Sequence, residues 1–270
     1  MSAFTQHFAF EFRTGLRNKD LFLLNYLFPL GFYLMMGVLM GGINPMFLET
    51  MIPAMVIFAV LSGAILGLPN PLVDAREAGI FRSFKINGVP ALSILIIPAI
   101  TTVFHSIIVA IIITVTAPLL FVTPLPVDWL SYALVIVVTA FSCAGLGALI
   151  GVISSNSRIT ILWSQLIYLP SMMLGGMMVP ISLLPPSLAK VGALLPASHA
   201  MQAFMGLAYK QATEWSPVGA LLVLIGGGIL AFALAAYLFS WDSQNATRRA
   251  HPAVAVLALV PYIAAALLLA

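Results

Sequence analysis

Asp74-Ala75-Arg76-Glu77-Ala78-Gly79-Ile80-Phe81-Arg82-Ser83-Phe84-Lys85 interrupts two long apolar stretches. Charge lodged between such runs must sit outside the hydrocarbon layer. Its alternation with Ile80, Phe81 and Phe84 gives the segment a charged side and a greasy side, as a contact surface requires. The flanking sequence decides the fold. Between Leu21 and Val73 the only charge is Glu49, between Pro90 and Asn156 only Asp128, and between Ile159 and Ser240 only Lys190, Lys210 and Glu214.

Hydrophobic residues make up 62% of the 270 residues and charged residues 7%, with a mean hydropathy of +1.12. No soluble core absorbs that much apolar surface, so the chain is an integral membrane protein. The net charge of +3 is small and gathers beside the apolar runs, which points to lipid headgroups and topology rather than nucleic acid. The single cysteine, Cys143, lies inside an apolar run and builds no disulfide framework.

A helix needs about 20 apolar residues to cross the hydrocarbon. Segments 21–41, 51–73, 92–122, 129–153, 159–180 and 217–241 meet that length. The closing stretch 253–270 is shorter and carries Pro261, so it reads as a seventh, marginal span or a membrane-dipping hairpin, the span being preferred. Ahead of the first span, Phe4, Phe8, Phe12 and Leu16 recur every four residues opposite a basic side. That is the pattern of an interfacial helix over residues 1–20, and the interrupting charges rule out a cleavable signal.

Taking the loops alternately, one side collects Arg13, Arg17, Lys19, Arg76, Arg82, Lys85, Arg158, Arg248 and Arg249, the other only Lys190 and Lys210. The first side is therefore expected to be cytoplasmic, with the N-terminus on it and the protein multi-pass in the cell (inner or plasma) membrane. The outer loops are short except for 180–215, where Pro185, Pro186 and Pro196 punctuate two apolar pieces too short to cross. These predict an external re-entrant helical segment before the sixth span. The expected fold is thus all-α and polytopic: the interfacial helix, a permease domain over 21–241 with a cytoplasmic segment at 74–90, and a basic linker plus seventh span over 242–270.

At this point the residues resemble a known family. Arg76, Glu77, Gly79 and Pro90 after the second span fit a pattern similar to Arg-Glu-x-Gly-Thr-Leu-x-x-Leu…Pro, with Ile80-Phe81 and Phe84 in place of Thr-Leu and Leu. On the opposite side, Gly176, Pro180, Leu184, Pro185 and Leu195-Pro196 fit a second pattern. Together they resemble the permease subunits of ATP-binding-cassette exporters, in the type 2 integral-membrane permease family. The resemblance implies a coupling segment seated on a separate ATPase subunit, made of Asp74, Arg76, Glu77, Gly79, Ile80, Phe81, Arg82, Phe84 and Lys85. It implies a second permease copy or a homologous permease, and ATP with Mg²⁺ held by the ATPase rather than by this chain. The sequence agrees on that last point, because no Gly-x-x-x-x-Gly-Lys-Ser/Thr phosphate loop occurs and this chain is not expected to be an enzyme. On the residues themselves, Ile80, Phe81 and Phe84 form the expected docking ridge, flanked by Arg76, Glu77, Arg82 and Lys85.

Polar residues inside spans face protein or a cavity. The resemblance places the first, second and fifth spans along the substrate route, which nominates Asn25, Tyr26, Tyr33, Ser62, Gln165, Tyr168, Ser171 and Met172. With Ser164 and the methionines 35, 36, 40, 173, 177 and 178 they suggest a hydrophobic or amphipathic cargo, such as a drug, antibiotic or lipid-like compound. Export of a polysaccharide or lipid-linked glycan is the alternative, and ATP-independent secondary transport is disfavoured by the absence of mid-membrane acidic or basic residues. The small-residue pairs Gly63/Gly67 and Gly147/Gly151 read as helix packing. His105 stands alone in the third span, and no spacing of His, Cys or carboxylates suggests a metal site.

Overall fold

A computed structural model describes residues 3–44, 47–242 and 250–268, with side chains from residue 6 onward. Phe4's side chain and Arg248 and Arg249, all used in the reading above, lie outside the described residues.

The regular elements among the described residues are all helical, a short 3-10 turn over Ile181–Leu183 included. They comprise α1 (Ala3–Arg17), α2 (Lys19–Ile43), α3 (Phe47–Glu77), α4 (Ile80–Ile86), α5 (Ala91–Phe121), α6 (Trp129–Ile153), α7 (Ser157–Leu174), α8 (Pro186–Gly192), α9 (196–208), α10 (Pro217–Leu238) and α11 (Pro252–Leu268). Their starts follow from the sequence. Asn18, Asp128, Asn156 and Ser216 cap α2, α6, α7 and α10 with side-chain oxygens that accept from Leu21, Ser131, Ile159 and Gly219 amides. Pro186, Pro196 and Pro217 open α8, α9 and α10, where a missing N–H is not needed.

By length and composition, α2, α3, α5, α6 and α10 can each cross a membrane. The fifth expected span, α7, is 18 residues long and falls outside that set, because Arg158, Ser164, Gln165 and Ser171 lower its hydropathy. At 1.5 Å per residue it measures about 27 Å, close to the hydrocarbon thickness of about 30 Å.

The core is α3. Its residues Met51 to Ile65 are buried without a break, with α2, α5, α6, α7 and α9 packed around it. Its helical ladder widens by one residue over Ser62–Gly67, just ahead of Pro69 and Pro71, which cannot donate to the preceding turn. On one side of that turn Ala64 lies against Gly147 of α6; on the other, Gly63 and Gly67 lie against Asn25 of α2. The two glycine pairs therefore permit close helix approach, as expected.

The structure refines several of these expectations. The helix that holds the second expected span runs on past Val73: α3 continues as one helix through Asp74, Arg76 and Glu77. The phenylalanine row of α1 is turned toward protein rather than lipid, with Phe8 edge-on to Phe104 at 5.5 Å and Phe12 stacked on His105 at 4.5 Å. Leu16 drops out of the row and is exposed. Aromatic partners on α5 capture the stripe because they fill its face more closely than mobile lipid chains would.

The closing stretch is one helix rather than a hairpin. Its first half, Pro252–Leu259, winds as a 3-10 helix, so Pro261 falls at the start of the α-helical half, where it breaks no bond. Tyr262 anchors it, with its ring against Gly227 and its hydroxyl 2.9 Å from Ser142 Oγ. Of the two pieces expected in 180–215, α9 is buried from Pro196 through Met205 among α3, α6, α7 and α10. The carbonyl of Ala208 accepts from the amides of Val127 and Asp128, tying α9 to the start of α6. There the Ser131 amide and hydroxyl, helped by Lys210 at 3.3 Å, hold the Asp128 carboxyl below its ordinary value.

Candidate functional site

At the end of the bundle that carries the charged segment, α3 and α4 form a corner. Glu77 ends α3, Ala78 and Gly79 make the turn, and α4 runs from Ile80 to Ile86 before Gly88 and Pro90 redirect the chain into α5. Gly79 and Gly88 both sit at φ +73°, a left-handed conformation that costs glycine little and other residues more. The corner is thus punctuated by its two glycines, as the sequence suggested.

Arg76 does not stand on the rim of this corner. It is 5% exposed and reaches across to the C-terminal end of α6, where Nη1 donates to Val152 O at 2.9 Å and Gly151 O at 3.4 Å, and Nη2 donates to Ser154 O. A helix end leaves its last carbonyls without intrahelical donors and carries partial negative charge, and a planar guanidinium answers both. Arg76 therefore clamps α3 to α6 from inside, which the sequence alone does not reveal.

The apolar ridge also differs from expectation. Phe81 is 3% exposed and packs on Phe239 at 5.6 Å, while Phe84 is half-buried with the His7 ring 6.1 Å away. A short helix held at both ends must bury one side, and the two phenylalanines form it. The apolar groups left outward are Ile80, 45% exposed, and Ile86, 85% exposed. Around them, Asp74 accepts from Ser157 Oγ at 2.7 Å and Arg82 pairs with Asp242. Glu77 and Lys85 are exposed and make no ion pair among the described residues.

The eight nominated route residues do not gather in one place within the chain. Tyr26 hydrogen-bonds His105 Nδ1 at 2.7 Å and Tyr33 bonds Thr116 Oγ1 at 2.9 Å, both toward α5. The Ser62 hydroxyl donates to the Leu24 carbonyl at 2.5 Å, locking α3 to α2. Asn25 is buried and lines a cavity behind the corner. His105, alone in the sequence, is a junction of α1, α2 and α5.

The remaining four share α7. Ser164, Tyr168 and Ser171 recur at helical spacing on its buried face, with Gln165 and Met172 beside them. Ser164 Oγ, Gln165 Oε1, Tyr168 OH and Ser171 Oγ have no hydrogen-bond partner among the described residues. The Tyr168 ring lies 5.9 Å from Phe58 of α3, which Phe28 and Phe32 of α2 flank at 5.4 and 4.2 Å. The first, second and fifth expected spans therefore do meet, at Phe58. Four unpartnered polar atoms in a row are costly in an apolar medium.

Among the described residues, no group of histidines, cysteines and carboxylates could hold a metal. No curated protein matches the chain. A family model described as ABC-2 type transporter matches residues 3–209, a stretch running from α1 through the charged corner to the end of α9. A permease of this kind works with an ATP-binding-cassette ATPase, and the chain is a multi-pass membrane transport subunit that belongs to the ABC-2 type transporter family.

Proposed function

We propose that this chain is the membrane half of an exporter and that the corner formed by α3 and α4 receives the ATPase on the cytoplasmic side. The observation that carries the reading is mechanical. The corner is continuous with the most deeply buried helix of the bundle and clamped to α6 through Arg76, so a push on it is delivered to the core rather than lost in a loop. Ile80 and Ile86 supply the apolar contact, and Glu77 and Lys85 the flanking charge. ATP and Mg²⁺ belong to the partner subunit.

A second permease, identical or homologous, would cover the exposed apolar faces of α2 and α7, where Leu27, Leu34, Val38, Leu162, Leu166 and Met173 point outward. The unpartnered row at 164, 165, 168 and 171 supports a cargo route along α7, since a partner helix, water or substrate must satisfy it. The cargo that fits such a row beside methionines and Phe58 is amphipathic: a drug, antibiotic or lipid-like compound. A glycan carried on a lipid is the second reading, favoured only by the hydroxyls of the row.

The test is copurification with the cognate ATPase. Ile80→Asp combined with Ile86→Asp is expected to weaken the complex at least tenfold and abolish transport-coupled hydrolysis. Ile86 is largely solvent-facing and Ile80 is partly exposed at the edge of the corner, so the thermal midpoint of the permease alone changes far less than the affinity. Full coupling in the double variant would remove the corner from the mechanism.

A further inference from the structure

Behind the corner, a cavity of ≈120 Å³ opens between α1, α2, the end of α3, α4 and the first half of α5. It holds about four water volumes at roughly 30 Å³ each. Of the residues nominated for coupling, Ile80, Phe81 and Phe84 line it, and its polar lining comes from other residues.

That lining has a consistent chemistry. Glu11 of α1 enters from the mouth, its side chain 27% exposed and 3.5 Å from His7. Asn25 lies deeper, 6% exposed, and its amide makes no hydrogen bond among the described residues. Thr101 and Thr102 both give their hydroxyl protons to the Pro98 carbonyl, at 2.8 and 2.9 Å, so what they leave for the cavity is lone pairs. Pro98 has no N–H, which leaves the Ile94 carbonyl without its usual donor four residues on. Neither lysine nor arginine lines the space, although Arg13, Arg17 and Lys19 lie close by in sequence. The apolar walls include Leu68, Leu72, Phe81 and Phe84, and the His105 ring also faces the space.

The Glu11 carboxylate, the Asn25 oxygen and the spare lone pairs of the two threonines outnumber the donors at the cavity, the Asn25 NH2 and the His105 ring, so the lining calls for a ligand that donates. Apolar and aromatic walls call for a short hydrocarbon next to the donor, and Phe84 adds a ring face that attracts a cation. We infer that this cavity binds a primary ammonium carried on an apolar chain, the head of a cationic amphiphile or an aminolipid. The ammonium sits between Glu11 and Asn25, and the first carbons of the chain lie along Leu72 and Phe84. Because Ile80, Phe81 and Phe84 of α4 are shared with the cavity, occupancy stiffens the corner from behind. That consequence rests on the coupling reading, but the binding itself does not.

The experiment therefore uses the purified permease without its ATPase. In phosphatidylcholine nanodiscs, n-hexylammonium titrated by calorimetry is expected to bind saturably, one per chain, with 1-hexanol giving no saturable heat and ethylammonium binding more weakly. Glu11→Gln lowers the affinity at least tenfold. Ala75→Leu, which fills the cavity from α3, does the same, and thermal unfolding confirms that each variant is folded. Native mass spectra from nanodiscs containing phosphatidylethanolamine separate the sources: retention of that lipid by the parent chain and its loss in Glu11→Gln assign the site to a lipid head, and hexylammonium binding without lipid retention assigns it to a free amine. Equal affinity in the parent and both variants overturns the proposal. So does 1-hexanol binding as tightly as hexylammonium, or no saturable binding at all.

Discussion

Arg76→Met is expected to cost about 3–5 kcal/mol of stability, enough to leave little folded protein in the membrane. Methionine fills the same channel but offers no donor to the carbonyls of Gly151, Val152 and Ser154, so the last turn of α6 is left buried with unsatisfied acceptors. Arg76→Lys keeps the charge but loses the fork that serves several carbonyls at once, and an intermediate loss follows. Thermal unfolding of the detergent-solubilised chain reads the order arginine, lysine, methionine. A contact residue at the rim would behave differently: all three proteins would unfold alike and only ATPase recruitment would fall.

Gly147→Val is expected to separate α6 from α3 at the centre of the bundle, at a cost of about 3 kcal/mol. A side chain there meets the carbonyl of Ala64, which is backbone and cannot rotate away, and the next contacts along the seam, at Gly151 with Leu72, are lost with it. Valine rather than alanine makes the effect decisive, since its second methyl has nowhere to go. Gly31→Ala is the control. Nothing lies within 4 Å of a side chain at that position, so its midpoint should stay within a degree or two of the parent or rise slightly. The pair separates the packing claim from general intolerance of transmembrane glycines to substitution.

Much of this fold can be read from the sequence, because composition and length determine membrane helices more directly than they determine soluble ones. The segments 92–122 and 129–153 correspond almost residue for residue to α5 and α6, and the breaks at Gly79, Gly88, Pro185 and Pro196 fall where backbone chemistry demands them. What the sequence hides is the direction in which a side chain points. Arg76 in a charged run looks solvent-facing, yet its charge is needed by carbonyls 75 to 78 residues away, which no local pattern announces. Phe81 and Phe84 look like a ridge by periodicity alone, but helical spacing fixes only that residues share a face, not whether that face meets a partner or the chain's own core.

The candidate route shows the same division. Ser62 and Asn25 each interrupt an apolar run and look alike in sequence, yet one is spent on the Leu24 carbonyl and the other opens into the cavity behind the corner. The row on α7 was legible as spacing, and its lack of partners was not. Gly226, Gly227 and Gly228 did carry a readable signal, since three small residues in one span mark a close approach. Gly226 and Gly227 face Pro261 and Tyr262 of the short closing helix, and Gly228 receives Phe141 of α6.

The proposed function requires that the ATPase meet the outward side of the α3–α4 corner. Photo-crosslinking tests it most directly, with benzoylphenylalanine placed singly at Ile86, Phe81 and Leu125 in the assembled transporter. Ile86 is 85% exposed, Phe81 faces Phe239, and Leu125 is 47% exposed at the opposite end of the bundle. The expected result is a crosslink to the ATPase from Ile86 alone, strengthened or weakened when ATP is trapped. An ATPase crosslink from Leu125 with none from Ile86 would contradict both the docking surface and the orientation of the chain.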